Sequence, residues 1–251
     1  MVAELLKACD EKVLELIAAL FNDVMDPHAQ IPQTWCMTKL KVLLKKGDAL
    51  DPANYRPIAS LRIFYKLFSR MLFSRLRATL DSSQSVDQAG FRKDFSCDDD
   101  LFVIRELAEK AEEFNLPLWV VAIDFAKAFD SFKHPSLWKS LRDQGAPAVY
   151  INVLQRIYCR QKGTVNAGTD SKAFDILRGS RQGDPISPIL FNAVLEDIMR
   201  DYKAKWQRKG WGWALEATGP NLTNLRFADD LLITARSLYQ AKQMLNDVMQ
   251  E

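Results

Sequence analysis

Residues 225–235 read LRFADDLLITA and place two adjacent carboxylates, Asp229 and Asp230, inside an otherwise apolar run. Burying a carboxylate in apolar surroundings is costly unless the charge is paired, hydrogen-bonded or bound to a metal ion. Strand-forming residues on both sides of the pair predict a tight β-hairpin whose turn presents the acids at the edge of a sheet. A solvated Asp-Asp turn is the alternative, and a second carboxylate motif upstream weighs against it.

The second motif is the apolar run LWVVAI at residues 118–123, which ends at Asp124. A continuous apolar run of strand formers predicts a strand that is buried on both faces. If this strand neighbours the hairpin in one sheet, Asp124, Asp229 and Asp230 converge. Such oxygen ligands suit Mg²⁺, and a pair of these ions about 3.5–4 Å apart serves both polymerases and nucleases. The pattern alone does not choose between those two classes.

Length and composition limit the class of protein. The chain has 251 residues, 48% of them hydrophobic, which is enough for one large domain or two interlocked subdomains. No apolar run approaches the ~20 residues of a membrane span, and residues 1–10 lack the features of a signal peptide. We therefore expect an intracellular protein that does not enter membranes. The scattered Cys9, Cys36, Cys97 and Cys159 indicate neither a zinc site nor a disulfide framework.

Charge is distributed unevenly along the chain. The net charge is only +2, but residues 36–80 contain ten Lys and Arg against two acids, whereas residues 1–35 contain two bases against six acids. A basic block of this kind is typical of a surface that binds a polyanion. A solvated basic face is the alternative.

Apolar periodicity and turn residues predict the remaining elements. The predicted helices cover residues 3–25, 64–80, 98–114, 125–130, 135–143, 187–205 and 237 onward. An extended segment is expected to open at Ile31-Pro32. The predicted strands cover residues 39–46, 163–168, 173–178, 211–217 and 224–235, the last two completing one sheet.

Five motifs follow one another in a fixed order. They are NYRPI (54–58), QAGFR (88–92), IDFAKAFDS (123–131), GSRQGDPISPILFN (179–192) and FADD (227–230). In this order they closely resemble the reverse transcriptases of non-long-terminal-repeat (LINE-type) retrotransposons, over residues 31–251. The resemblance implies an α/β (α+β) fold, a right-hand polymerase core with a small antiparallel sheet packed on helices. It also implies an N-terminal helix over 1–30, fingers over 31–115 and an incomplete palm over 116–251, with the thumb absent.

The resemblance assigns the chemistry to the acids. Asp124 and Asp229 match the family's metal-binding carboxylates, the backbone carbonyl of Phe125 matches a further ligand, and Asp230 matches a less direct third acid. The implied reaction adds deoxynucleoside triphosphates to the 3′-hydroxyl of a DNA primer on an RNA template. The implied cofactor is two Mg²⁺ ions, with Mn²⁺ as a substitute.

The resemblance also assigns substrate-binding residues. Arg92, Lys93 and Arg56 match the fingers cations that hold the incoming triphosphate. Gln182 and Gly183 match a loop near the new base pair and the template.

Phe129 matches the residue that blocks a ribose 2′-hydroxyl. Viral RNA-dependent RNA polymerases typically carry an acid at that place, so the ring favours DNA synthesis. Packing in an aromatic core is the alternative role for this side chain.

Departures from the family pattern define the rival hypotheses. Asp94 and Cys97 replace a glycine and a threonine, and we expect Asp94 to weaken nucleotide binding. The chain ends before the later palm motifs, so we expect a fragment or decayed copy with little processive synthesis in isolation. The rivals are an inactive RNA-binding scaffold and a group II intron-type or domesticated reverse transcriptase. A nuclear location is expected for an active retroelement.

Overall fold

The structure is a computed structural model that describes residues 3–166, 171–215 and 219–249. Parts of the strands predicted over 163–168 and 211–217 therefore lie outside the described residues. The helices are α1 (Ala3–Lys7), α2 (Glu11–Met25), α3 (Gln33–Cys36), α4 (Ile63–Ser83), α5 (Cys97–Glu113), α6 (Ala128–Ser131), α7 (His134–Asp143), α8 (Ala148–Tyr158), α9 (Ser187–Arg208) and α10 (Leu238–Met249). The strands are β1 (Met37–Leu44), β2 (Tyr55–Ser60), β3 (Trp119–Asp124), β4 (Lys162–Asn166), β5 (Phe174–Asp175), β6 (Trp213–Ala214), β7 (Asn221–Leu222), β8 (Asn224–Phe227) and β9 (Asp230–Ala235).

The chain divides into two compact units that interleave along the sequence. Unit 1 comprises Met1–Ser82 and Phe129–Phe191, and unit 2 comprises Ser83–Ala128 and Asn192–Glu251. The predicted boundary between fingers and palm, at residue 115, falls inside unit 2. The sequential ranges predicted for those subdomains therefore do not coincide with the compact units.

In unit 1 a sheet with the strand order β2-β1-β4-β5 packs beside an aromatic core. Strand β1, which overlaps the strand predicted over residues 39–46, forms an antiparallel pair with β2, and β4 runs parallel to β1. The core includes Phe21, Trp35 and Phe68, whose ring centroids lie 5.1–6.2 Å apart. Edge-to-face packing of this kind stabilises a core beyond the area that it buries.

The N-terminal segment differs from the single helix predicted over residues 3–25. The chain leaves the helix after Lys7, and the Asp10 carboxylate accepts a hydrogen bond from the Val13 amide at 3.0 Å, which starts α2 as a new helix. The extended segment predicted at Ile31-Pro32 is also wrong. Pro32 instead precedes the short helix α3, because its fixed φ suits a helix start as well as a strand.

In unit 2 an antiparallel sheet has the strand order β3-β9-β8, and both α10 and α5 pack against it. The Trp206 indole on α9 donates a hydrogen bond to Asp247 on α10 at 2.9 Å. Strands β6 and β7 pair with each other, in a sheet separate from β8 and β9 as far as the described residues extend. The prediction that residues 211–217 join residues 224–235 in one sheet is therefore wrong for the described residues 211–215, whereas β8 and β9 do form that sheet.

Strand β3 is also less buried than predicted. Trp119 is 42% exposed and Val120 is 43% exposed. Among the described strands β3 pairs with β9 alone, so it is an edge strand rather than a central one. The continuous apolar run correctly predicted the strand but not its environment.

Across the described ranges, no helix combines the length and the apolar character needed to cross a bilayer.

Candidate active site

The acidic hairpin of unit 2 has the geometry predicted from the sequence. Phe227 pairs with Asp230 across β8 and β9, which leaves Ala228 and Asp229 as the turn. Asp229 is half-buried and Asp230 is exposed. The turn therefore delivers both carboxylates at one end of the sheet, with their charges near solvent.

Asp124 lies beside this turn. It is the last residue of β3, and its register partner on β9 is Asp230. Directly opposed residues of an antiparallel pair have Cα atoms about 4.5–5.5 Å apart and project from the same face of the sheet. The structure thus brings the three predicted acids to adjacent backbone positions, although more than a hundred residues separate Asp124 from the other two.

The turn itself is strained and tightly held. Ala228 has φ +58°, a left-handed conformation that costs a residue with a side chain about 1–2 kcal/mol. The buried amide of Gln88 binds this residue on both sides. Its Oε1 accepts from the Ala228 N–H at 3.0 Å, and its Nε2 donates to the Ala228 carbonyl at 3.3 Å. The motif containing Gln88 was noticed in the sequence, but no function was predicted for this residue.

No three acidic, histidine or cysteine side chains within the described residues are arranged to hold a metal ion. The set implied by the family resemblance is different, because it comprises two carboxylates, Asp124 and Asp229, and the backbone carbonyl of Phe125. These are hard oxygen donors of the type that Mg²⁺ and Mn²⁺ prefer. The exposed or half-buried positions of all three residues fit a site that a hydrated cation reaches.

The predicted triphosphate cations have different environments. The half-buried Arg92 donates from Nη1 to the backbone carbonyls of Ser85 at 2.8 Å and Gln88 at 3.0 Å. Lys93 is exposed and lies 3.9 Å from the carboxylate of Asp94, a weak surface ion pair. Arg92 therefore stabilises its own loop through hydrogen bonds to backbone carbonyls. The Asp94 carboxylate partly neutralises the positive charge of Lys93.

In unit 1 the predicted sugar-contacting residue Phe129 is held from two sides. Its ring stacks on Phe191 with a centroid distance of 4.6 Å and an interplanar angle of 25°. Its carbonyl accepts a hydrogen bond from the Ser180 amide at 2.7 Å. A Cβ on Gly179 would come within 2.5 Å of the Phe129 carbonyl oxygen, so only glycine allows this close approach.

The same loop carries Gln182 and Gly183. The Gln182 side chain donates to Asp130 at 2.8 Å, and its carbonyl accepts from the Ala59 amide at 2.9 Å. Gly183 has φ +97°, which a side chain would disfavour. The structure therefore brings Gln182 next to the helix that carries Phe129. Arg56, on β2 of the same unit, is exposed.

A buried carboxylate that the sequence did not flag supports this loop. Asp184 accepts hydrogen bonds from the hydroxyls of Tyr65, at 2.5 Å, and Ser69. The guanidinium of Arg181, itself 3% exposed, lies 4.7 Å from the centre of the Tyr65 ring. Burial raises the pKa of Asp184, while the two hydroxyls and Arg181 oppose that rise. Asp184 lies within the motif at residues 179–192, and that membership was its only signal in the sequence.

Unit 2 has a buried charge of its own on β8, the first strand of the hairpin. Arg226, 1% exposed, binds Glu196 at 2.8 Å. The Arg226 backbone pairs with the segment Asp87–Ala89, because its N–H donates to the Asp87 carbonyl at 2.7 Å and its carbonyl accepts from the Ala89 N–H at 2.8 Å. This ion pair therefore links α9 to β8, the strand that leads into the acidic turn.

Comparison with known proteins agrees with this geometry. A family model described as reverse transcriptase (RNA-dependent DNA polymerase) matches residues 43–251. The chain is 27% identical over 221 residues to the retrovirus-related Pol polyprotein of the type-2 retrotransposable element R2DM of Drosophila melanogaster. The matching region covers 87% of the chain and 20% of that protein. It is 30% identical over 212 residues to the R2 Pol polyprotein of Popillia japonica, covering 82% of the chain and 28% of that protein. The chain thus spans between a fifth and a third of the length of these relatives.

Solved structures show the same architecture. Apo telomerase from Candida tropicalis, truncated from its C-terminal domain, superposes with a TM-score of 0.63 at 15% identity, over 88% of the chain and 48% of that structure. Telomerase from Candida albicans, in complex with a fragment of telomeric RNA, gives a TM-score of 0.59 at 13% identity, over 94% of the chain and 43% of that structure. These likenesses concern the fold alone, and they confirm the predicted α/β polymerase core. The sequence relatives confirm the predicted likeness to non-LTR retrotransposon reverse transcriptases, and with the match to the family model they show that the chain belongs to the reverse transcriptase family.

Proposed function

We propose that this chain is the nucleotidyl-transfer core of an RNA-directed DNA polymerase. The observation that carries the proposal is the register of β3 and β9, which sets Asp124 opposite Asp230 and beside the turn residue Asp229. A protein that served only as a scaffold would have no need to keep three acids at one end of a sheet, because clustered like charges repel one another.

Members of the reverse transcriptase family generally use divalent metal ions. In our proposal Asp124, Asp229 and the Phe125 carbonyl hold two Mg²⁺ ions, Mn²⁺ can replace them, and Asp230 contributes less directly. When bound, such ions activate an attacking oxygen and neutralise the charge that develops on the transferred phosphoryl group.

The reaction joins a deoxynucleotide to a DNA primer. The primer 3′-hydroxyl gives up its proton to water and its oxygen forms a bond to the α-phosphorus. The bond from that phosphorus to the oxygen that bridges it to the β-phosphorus breaks, and pyrophosphate leaves. In this scheme Lys93 and Arg56 contribute positive charge to the triphosphate. Arg92 shapes the loop that carries Lys93 and adds its own positive charge beside the triphosphate.

Phe129 selects the sugar in this proposal. Stacking on Phe191 fixes its ring, and a fixed ring excludes a 2′-hydroxyl better than a mobile one. Gln182, held by Asp130, and Gly183 contribute to the pocket for the base pair.

An RNA template is the partner best matched to the basic block. Its Lys and Arg residues all belong to unit 1, and apart from the half-buried Arg77 they are exposed. On α4, the guanidinium groups of Arg70 and Arg77 flank the Phe73 ring at 5.1 and 5.5 Å, an arrangement that orders cations on a surface. Ordered cations suit a phosphate backbone.

Titration with Mn²⁺, followed by the electron paramagnetic resonance signal of the free ion, tests the proposal. We expect Asp124→Ala to weaken binding by about tenfold or more, since one ligand of a shared site is lost. The matched control is Asp98→Ala, an exposed acid at the start of α5. Equal affinity in the wild type and Asp124→Ala would refute the shared site, and RNA binding without any Mn²⁺ binding would favour the inactive scaffold.

A further inference from the structure

The acidic turn depends on a side chain outside the hairpin. The Gln88 amide makes three hydrogen bonds to backbone: its Oε1 accepts from Ala228 at 3.0 Å and from Gly90 at 2.8 Å, and its Nε2 donates to the Ala228 carbonyl at 3.3 Å. Gln88 is fully buried. One side chain therefore satisfies both polar groups of the residue that directly precedes Asp229.

We propose that Gln88 is a positioning residue that sets the conformation of the Ala228-Asp229 turn and, through it, the placement of the Asp229 carboxylate. The inference rests on the proposed function, because the value of a fixed turn is that it presents this acid. The role differs from that of a metal ligand, since Gln88 acts on the backbone rather than on an ion.

The turn contains a residue whose conformation benefits from such support. Ala228, within the turn that the Phe227–Asp230 pair closes, has the left-handed φ of +58° that residues with a side chain rarely adopt. A strained backbone conformation persists where several contacts with the surrounding structure enforce it. The bidentate amide of Gln88 provides that constraint.

Gln88 is itself anchored in unit 2. Its segment forms a parallel bridge with Arg226, and the Ala89 amide donates to the Arg226 carbonyl at 2.8 Å. The Asn192 side chain donates to the Gly90 carbonyl at 2.8 Å. A Cβ on Gly90 would lie 2.1 Å from the Ala228 nitrogen, so the backbone at Gly90 touches the turn directly. We call the hydrogen bonds from the Gln88 amide to Ala228 and Gly90 the clamp. The segment that carries the clamp is therefore held by two other elements, β8 and α9.

The chemistry of the clamp requires glutamine. A glutamate at this position keeps the acceptor for both N–H groups but opposes the Ala228 carbonyl with a second oxygen, and it buries a charge. A methionine matches the length of the side chain and removes the acceptor and the donor together. The two substitutions thus separate the contributions of the acceptor and of the donor.

Amide hydrogen exchange of Ala228 in the intact 251-residue chain, measured by NMR, tests the positioning role without requiring polymerase activity. We expect Gln88→Met to speed this exchange by about tenfold, the change equivalent to one net hydrogen bond, and Gln88→Glu to speed it less. The control is Asn224→Leu, a buried amide of β8 whose side chain donates to Thr223 at 3.0 Å. It should leave the Ala228 amide unchanged even if global stability falls.

Mn²⁺ affinity is the second readout. We expect Gln88→Met to weaken Mn²⁺ binding several-fold and Asn224→Leu to leave it unchanged. If Asp124→Ala abolishes binding but Gln88→Met alters neither Mn²⁺ affinity nor Ala228 exchange, the clamp is wrong and the proposed function stands. If the wild type binds no Mn²⁺ at the hairpin but Gln88→Met still exposes the Ala228 amide, the clamp on the turn is supported while the proposed function and the purpose assigned to the clamp are wrong.

Discussion

Units 1 and 2 each bury a carboxylate beside a motif of the proposed active site, and they stabilise it differently. In unit 2, Glu196 binds the guanidinium of Arg226 directly at 2.8 Å. In unit 1, Asp184 accepts from the hydroxyls of Tyr65 and Ser69. Arg181 there stacks on the Tyr65 ring, and none of its guanidinium nitrogens has a hydrogen-bond partner within the described residues.

The two acids differ in what compensates their burial. Arg226 pairs directly with the Glu196 carboxylate, and removing either partner leaves a buried charge with little compensation. Hydroxyl donors stabilise Asp184 with less electrostatic compensation, and burial raises its pKa. We therefore expect the contribution of Asp184 to the stability of unit 1 to depend on pH.

The largest effect is expected from breaking the ion pair of unit 2. Arg226→Met leaves the buried Glu196 with only the exposed Arg200, 3.9 Å away, which should lower the free energy of unfolding by about 3–5 kcal/mol. Urea denaturation measures this. The double variant Arg226→Met/Glu196→Leu removes both charges and should recover most of the loss. A double variant as unstable as the single one would show that the packing of Arg226, rather than its charge, is what matters.

A smaller effect is expected from removing one hydroxyl donor in unit 1. Tyr65→Phe leaves one Asp184 oxygen without its donor, at a cost of about 1–3 kcal/mol. The hydroxyl lowers the pKa of Asp184, so its loss raises that pKa further. A carboxyl whose pKa is raised on folding loses stability as the pH rises through the folded value. The difference in unfolding free energy between Tyr65→Phe and the wild type should therefore grow with pH.

The control for this variant is Tyr55→Phe. The Tyr55 hydroxyl makes an exposed hydrogen bond to the Ala49 carbonyl at 2.9 Å. Its loss should cost less than about 0.5 kcal/mol at every pH, as is usual for surface substitutions. Equal losses in the two variants would contradict the role given to the buried Asp184 contact.

The smallest effect is expected at Asp100, close to the ion pair of unit 2. Burial, with Asp99 and Asp87, raises the pKa of Asp100 to about 6, and Arg226 opposes the rise. Its contribution to stability should thus be complete below its ordinary value of 3.8 and decline as the pH rises through about 6. Urea denaturation from pH 4 to 7.5 should show this decline, which Asp100→Asn removes. Asp98→Asn, an exposed change in the same turn, should leave the decline in place.

The sequence predicted the positions of the acids better than the contacts that hold them in place. The acidic hairpin follows from strand formers on both sides of Asp229-Asp230, a local signal that pairing with β3 does not override. Asp124 was found because its run of strand formers is equally local. Five ordered motifs then identified the family. Periodicity and charge alone did not distinguish a polymerase from a nuclease.

The supports were missed because they depend on contacts between distant residues. Gln88 lies in a recognised motif, but its partner Ala228 is 140 positions away. The same holds for Tyr65 and Asp184, which are 119 positions apart. The exposure of β3 was missed for a related reason: an apolar run predicts a strand, whereas its place at the edge of the sheet depends on which other strands pair with it.

At Gly90 the loop and the acidic turn meet backbone to backbone, with no room for even a methyl group. Exchanging side chains cannot widen or narrow that gap, because there is no side chain in it. The position of the acidic turn relative to this loop is thus set by main-chain geometry. An engineer who wished to move the acids by half an ångström would have to change loop length, since residue choice at this contact offers no adjustment.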